Sequence, residues 1–395
     1  MLSQRQLFLN HIAQTSETPL ALEIERAEGV YLYETSGKRY LDLISGISVS
    51  NIGHRHPEVV AAIKEQVDKY MHLMVYGEYI QSPQVTLAKL LSDQLPPNLS
   101  AVYFVNSGSE AIEGAMKLAK RITGRTEIIS FKNAYHGSTH GSLSIMGNEE
   151  FKNAFRPLLP DTKQIEYNSI SDFSQITNRT ACVVVETIQG EAGAVVPQHN
   201  FLKNLSLHCK AHGVLLIADE IQCGFGRTGS LFAFEQFDFV PDILCIAKGM
   251  GGGMPIGAFI SSKERMFSLT HNPILGHITT FGGHPVCCAA AEATLRVLLK
   301  ENLIAGVVAK EMLFRALLKH PKIKSINGKG LLLSIEFDNY EQNKIIIDSC
   351  IQKGVITDWF LFNAHAMRIA PPLTISEDEI KFACATIISA IEEAV

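Results

Sequence analysis

The polar residues best suited to chemistry in this chain follow short apolar runs. AVYFV (101–105) leads into Asn106-Ser107-Gly108-Ser109-Glu110, EIISF (127–131) into Lys132-Asn133-Ala134-Tyr135-His136-Gly137, and ACVVV (181–185) into Glu186-Thr187-Ile188-Gln189-Gly190-Glu191. VLLIA (214–218) is followed by Asp219-Glu220-Ile221-Gln222, and ILCIA (243–247) by Lys248-Gly249-Met250-Gly251-Gly252-Gly253. At Ser107-Gly108-Ser109 a strand gives way to a helix, where exposed N–H groups and the helix dipole offer a site for a phosphate monoester. Lys248 lies between apolar residues and glycines, and a desolvated amine there has its pKa lowered far enough to form a Schiff base. Taken singly, the serine is equally an N-cap and the lysine a solvated strand end.

The elements must bring these tails together. The runs are too short for helices and too continuous for half-exposed strands, which fits strands covered on both faces. Helical stretches at 109–122 and 200–212 separate several of them. The fold class is therefore α/β, with βαβ units and a mainly parallel sheet covered by helices. In such sheets ligands bind beyond the carboxyl ends of the strands, where all five tails fall. Asp219 in that position is either a structural cap or a carboxylate that keeps a pyridine nitrogen protonated, the pairing that makes pyridoxal phosphate an electron sink. Tyr135 is either packing or a ring stacked on a planar cofactor. On consecutive strand ends, the set describes a cofactor site.

Around this core, GVYLYETSGKRYLDLIS reads as two strands about a Ser36-Gly37 turn, and PEVVAAIKEQVDKY as a helix. Another helix starts at Ser82-Pro83, with Ser82 as its N-cap. Beyond residue 285 the texture becomes that of a smaller α+β domain: helices at 285–300 and 303–319, two strands about Gly328, a helix at 341–353, and a last helix opened by the capping box Ser376-Glu377-Asp378-Glu379. The expected organisation is an N-terminal segment (1–45) packing with the small domain, a large domain (46–285) and a small C-terminal domain (286–395).

Composition narrows the choice of partner. Thirty-five Lys+Arg against 40 Asp+Glu gives a net charge of −5, with no basic cluster to suggest nucleic-acid binding. Charged residues are only 19% and apolar ones 46%, against about 25% charged in an average soluble domain. Part of the surface is then expected to be hidden between subunits. Eight scattered cysteines form no C-x-x-C pair, so neither a metal site nor a disulfide framework is expected. The N-terminus has no signal-like apolar stretch and no run of about 18 apolar residues occurs, so a cytoplasmic protein without a membrane partner is expected. Gly224-Phe225-Gly226-Arg227-Thr228-Gly229 matches G-x-G-x-x-G literally. It does not follow its strand directly and no clear helix start comes after it, so a dinucleotide site is not expected.

The ordered motifs GKRYLDLISGISVSNIGHRHP, FVNSGSEAIEGAMKLAK, ETIQGEAG, ADEIQCGFGRTG, IAKGMGGGMPIGA, TTFGGHPVCCAAA and RIAPPL carry a resemblance from about residue 29 to 373. The chain resembles the class III aminotransferases of fold type I, nearest in texture to the acetylornithine/ornithine branch. That resemblance implies pyridoxal 5'-phosphate as cofactor and a homodimer with shared active sites. Lys248 would form the Schiff base and shuttle the proton, Asp219 would pair with the pyridine nitrogen, and Gln222 would contact the ring hydroxyl. Ser107 and Gly108 would bind the phosphate, Tyr135 would stack on the ring with His136 beside it, and Thr280 would reach the phosphate in the neighbouring subunit.

Arg368 matches the arginine that holds a substrate carboxylate, and Glu191 the glutamate that pairs with it and moves aside for some substrates. The implied activity transfers an amino group from an amine or an acetylornithine/ornithine-like ω-amino acid to a 2-oxo acid such as 2-oxoglutarate, ping-pong through pyridoxamine phosphate. An aminomutase of the glutamate-1-semialdehyde type and a decarboxylase of the dialkylglycine type share the architecture and are the alternatives. One departure stands out: Ser138 occupies the place where many relatives carry an arginine for the distal carboxylate of glutamate or 2-oxoglutarate.

Overall fold

A computed structural model describes residues 2–394. Its centre is a seven-stranded sheet in the order Ala101–Val105, Gly257–Ser261, Ile243–Ile246, Leu215–Asp219, Thr180–Glu186, Glu127–Phe131, Thr162–Ile165. Gly257–Ser261 runs antiparallel to both neighbours, and the other pairs are parallel. The strands at 180–186, 215–219 and 243–246 are buried throughout, as continuous apolar runs between two helical layers must be. Register does the positioning. Glu186 is paired with Asp219 and Asp219 with Cys245, so two carboxylates end adjacent strands at one level, with Lys248 three residues beyond Cys245 on the next strand.

The helix Gly108–Thr123 follows the first strand and stops at Gly124 in the left-handed conformation. Its buried face includes Ala111, Gly114, Ala115, Leu118 and Ala119, small enough to bring the helix close to the sheet. The capping box at Ser376 forms as expected. Ser82, expected as a cap, is instead the first helical residue, and Gln81 occupies the cap position without a side-chain bond. Proline at the second helical position requires only its own fixed φ and leaves the cap open to other residues.

Two smaller sheets flank the centre. Ile24–Glu28, Tyr31–Glu34 and Arg39–Asp42 form an antiparallel meander, to which Val355–Ile356 adds in parallel, so residues near both ends of the chain share a sheet. Ser325–Lys329, Leu332–Glu336, Asn363–Ile369 and Trp359–Phe360 form the other, all antiparallel. Gly328 lies inside its strand and the chain turns after Lys329, one step later than expected.

Gly114 tests the closeness of helix and sheet. A Cβ there would lie 2.3 Å from the Phe259 ring, which is fully buried. We predict that Gly114→Ala lowers stability by about 1–3 kcal/mol in urea denaturation, because overpacking outweighs the gain of at most about 1 kcal/mol in helix propensity.

Candidate active site

The strand ends converge on a cavity of about 380 Å³ lined by Ser107, Gly108, Tyr135, Asp219, Gln222 and Lys248, with His136 and Glu186 also in its wall. Ser107 is the N-cap of Gly108–Thr123 and accepts the Glu110 N–H at 3.2 Å. A Cβ on Gly108 would stand 2.9 Å from the Ile221 side chain, so glycine keeps backbone N–H groups open to an anion at this helix start. Gly137, at φ +121, lets the loop after Tyr135 close onto Ser109, whose Oγ would lie 2.0 Å from an added Cβ.

Lys248 starts a short 3-10 turn at φ 44, in the left-handed region that few side chains adopt. Burial pulls its pKa below the usual lysine range, with Arg368 adding to that effect, while Glu191, Asp219 and Glu186 oppose it. A buried amine with a depressed pKa supplies the neutral nitrogen that nucleophilic addition requires.

Asp219 is buried and accepts the Ile221 N–H at 3.0 Å, so it caps the turn and also faces the cavity. Behind it, His136 donates from Nδ1 to Asp219 Oδ2 at 2.7 Å. Burial alone would lower the His136 pKa, but its bond to Asp219 overrides this and raises it. Tyr135 lies half-buried with its N–H on Glu186 Oε1 at 2.9 Å and its hydroxyl 3.2 Å from Ser138 Oγ. Gln222 is buried in the wall, and its Nε2 has no hydrogen-bond partner among the described residues. Thr280 is exposed and lies outside this cavity.

Glu191 and Arg368, 177 positions apart in sequence, form a buried bidentate pair: Nη1 donates to Oε1 at 3.1 Å and Nη2 to Oε2 at 2.9 Å. Burial would raise Glu191, and Arg368 overrides it, leaving the carboxyl below its ordinary range. Two other carboxylates join the site, Asp358 with no local sequence signal and Glu186 with only its place at a strand end. Asp358 accepts Arg368 Nε at 2.8 Å. Glu186 supports the loop by accepting from Tyr135 N and, at 2.8 Å, from Gly190 N. Both depend on long-range register, whereas the one local signal, Glu186 ending an apolar run, did not reveal that role.

An anion cradle at a helix start opened by Gly108, an unpartnered buried amide, a carboxylate and a desolvated lysine in one cavity fit a phosphorylated pyridine aldehyde. The comparisons agree. The aminotransferase class-III family model matches residues 12–391. The acetylornithine aminotransferase of Methanopyrus kandleri is 38% identical over 384 residues, covering 96% of each chain, and that of Bacillus subtilis is 39% identical over 377 residues, covering 94% of this chain and 95% of the relative. Ornithine aminotransferase from Toxoplasma gondii superposes with a TM-score of 0.91 at 28% identity over 98% of this chain and 93% of that one. Adenosylmethionine-8-amino-7-oxononanoate aminotransferase from Methanocaldococcus jannaschii does so with a TM-score of 0.91 at 30% identity over 98% of both chains.

Fold and site together are those of a fold type I enzyme that uses pyridoxal 5'-phosphate. The chain belongs to the class III aminotransferases and is a pyridoxal-phosphate-dependent transaminase.

The buried Glu186 makes a pH prediction. Burial is the main cause that raises its pKa from 4.5 to about 7, so between those values the folded state holds a proton that the unfolded state has lost. Stability contributed by this group therefore falls as pH rises through that window. Urea denaturation of the cofactor-free protein at pH 5 and pH 7.5 should show a smaller loss in Glu186→Gln than in the unsubstituted chain, by about 2 kcal/mol. Equal losses in the two proteins would contradict this account.

Proposed function

We propose that this transaminase moves an amino group from an amine or ω-amino acid of the acetylornithine/ornithine type to a 2-oxo acid such as 2-oxoglutarate, in two alternating half-reactions. The observation that carries the reading is the buried bidentate Glu191–Arg368 pair, whose charges both act on Lys248. With the pair closed, an ω-amine can enter without meeting an unpaired guanidinium. With Glu191 moved aside, the Nη edge of Arg368 is free to hold the carboxylate of a 2-oxo acid by two parallel charge-assisted bonds. The names of the acetylornithine relatives support the same substrate class.

When bound, pyridoxal phosphate supplies stabilisation of negative charge at the substrate carbon. Ser107 and the N–H groups at Gly108 would hold the phosphate, Tyr135 would pack against the ring, and Gln222 would offer its Nε2 to the ring oxygen. Asp219 would present its carboxylate to the ring nitrogen, with His136 fixing its orientation from behind. Lys248 Nζ takes and returns the proton at the reacting carbon, a role served by the lowered pKa. A second copy of the chain is proposed to complete the site. Met71, Tyr79, Ile80, Phe267, Ile274 and Phe281 are exposed in segments 71–80 and 267–281, next to the exposed Thr280. That surface suits burial against its own copy.

Lys248→Ala should abolish the visible absorbance of lysine-bound cofactor and reduce turnover by at least about a thousandfold. Unchanged absorbance and turnover would refute the reading. A second prediction concerns Ser138, a hydroxyl where no bidentate charged contact is available. Ser138→Arg should lower KM for 2-oxoglutarate about tenfold relative to pyruvate, as measured by steady-state assay of both acceptors. An unchanged ratio would show that Ser138 does not set acceptor preference.

A further inference from the structure

Arg368 holds two carboxylates, and they occupy different edges of the guanidinium. Glu191 takes Nη1 and Nη2, while Asp358 takes Nε at 2.8 Å. The two partners are anchored differently. The Arg368 N–H donates to the Asp358 carbonyl at 2.8 Å, Thr357 Oγ1 donates to the Arg368 carbonyl at 2.6 Å, and Trp359 pairs with Met367 in the sheet. Asp358 thus immediately precedes the Trp359–Phe360 strand that lies alongside Arg368, and the Phe360 ring sits 4.3 Å from the guanidinium carbon. Glu191 comes from a separate loop flanked by Gly190 and Gly193. Its carbonyl accepts the Phe362 N–H at 3.0 Å, and among the described residues its carboxylate is held, beyond Arg368, by the Leu361 N–H at 3.1 Å.

We propose that Asp358 is the fixed partner of Arg368 and the positioning residue for substrate carboxylates: it holds the guanidinium by Nε so that the Nη edge stays aimed into the site when Glu191 leaves. This rests on the exchange of Glu191 proposed above and assigns it a device of its own. Only the Nη edge can then take an incoming carboxylate in bidentate fashion. Without Asp358, a displaced Glu191 would leave Arg368 buried with no counter-charge until the substrate arrives, which penalises the open state. Substrates that require that state should suffer, and those that do not should be spared.

The test compares the unsubstituted holoenzyme with Asp358→Asn and Asp358→Glu. The two half-reactions are followed separately, and propionate, a carboxylate with no carbonyl to react, is titrated spectroscopically. Asp358→Asn should raise KM for the 2-oxo acid and Kd for propionate about tenfold, with kcat and the KM of the ω-amine donor changed less than about twofold. Recovery of carboxylate affinity by Asp358→Glu supports the assignment. Equal weakening of both half-reactions, with a lowered melting temperature, would mark a merely structural role and overturn it, as would unchanged propionate binding. If the unsubstituted protein transaminates no donor–acceptor pair, the underlying functional reading fails. If it does and the variants show no split between substrates, only the role of Asp358 fails.

Discussion

Keeping an amine dry while surrounding it with carboxylates is the constraint on which this site depends. Lys248 is buried, and desolvation disfavours its ammonium form. Three carboxylates, those of Glu191, Asp219 and Glu186, pull the other way. Were they free to act on Lys248 alone, they would oppose that effect more strongly. Each is instead occupied: Glu191 by Arg368, Asp219 by His136, and Glu186 by the backbone N–H groups of Tyr135 and Gly190. The polar network around the cavity sets how much carboxylate charge reaches the lysine.

That network works only if separate parts of the chain are held in fixed relation, and Arg227 is the fastening. It is fully buried, and burial pulls its pKa down to about 9. Its guanidinium donates to the carbonyls of Leu331 and Pro371, to Ser45 Oγ at 3.2 Å and to Asn51 Oδ1 at 2.5 Å. One side chain therefore ties the glycine-rich loop after Asp219 to the N-terminal segment and to the region that carries Arg368. The same contacts brace Ser45–Ser48, where four consecutive residues have positive φ. Backbone strain of that kind persists only where surrounding contacts over-determine it, and the chain leaves it at Val49, in the cavity wall.

How much of this was legible in the sequence follows from the range of each interaction. Lys248, Asp219 and Ser107 were legible because each lies within two residues of the end of an apolar run, and a parallel sheet carries every such end to the same side. Thr162–Ile165 was missed because TKQI is short and polar at three of its four positions, and Gly257–Ser261 because GAFIS follows a glycine-rich loop and runs against its neighbours. The literal dinucleotide motif, not expected to bind a dinucleotide, carries the Arg227 fastening just described. Glu191 and Arg368 came from family resemblance alone, since nothing local shows that residues 177 apart meet. Asp358 escaped both routes. It meets Arg368 only because a two-residue strand pairs with Asn363–Ile369 in an irregular register.

A transaminase that treats donor and acceptor as unlike molecules faces an electrostatic difficulty in a single cavity. A permanent free arginine suits a carboxylate but leaves a buried charge unpaired when the partner is an amine tail. An apolar wall suits the tail and leaves the carboxylate unheld. An arginine with one carboxylate on its Nε edge and another on its Nη edge avoids both states, because the second can exchange with substrate without changing the number of charges around the guanidinium. The balance between closed and open forms is then a difference between two similar ion pairs, small enough for substrate binding to tip. Ser138 adds no second cation, so under the proposed exchange discrimination by carboxylate would fall on the Arg368 edge.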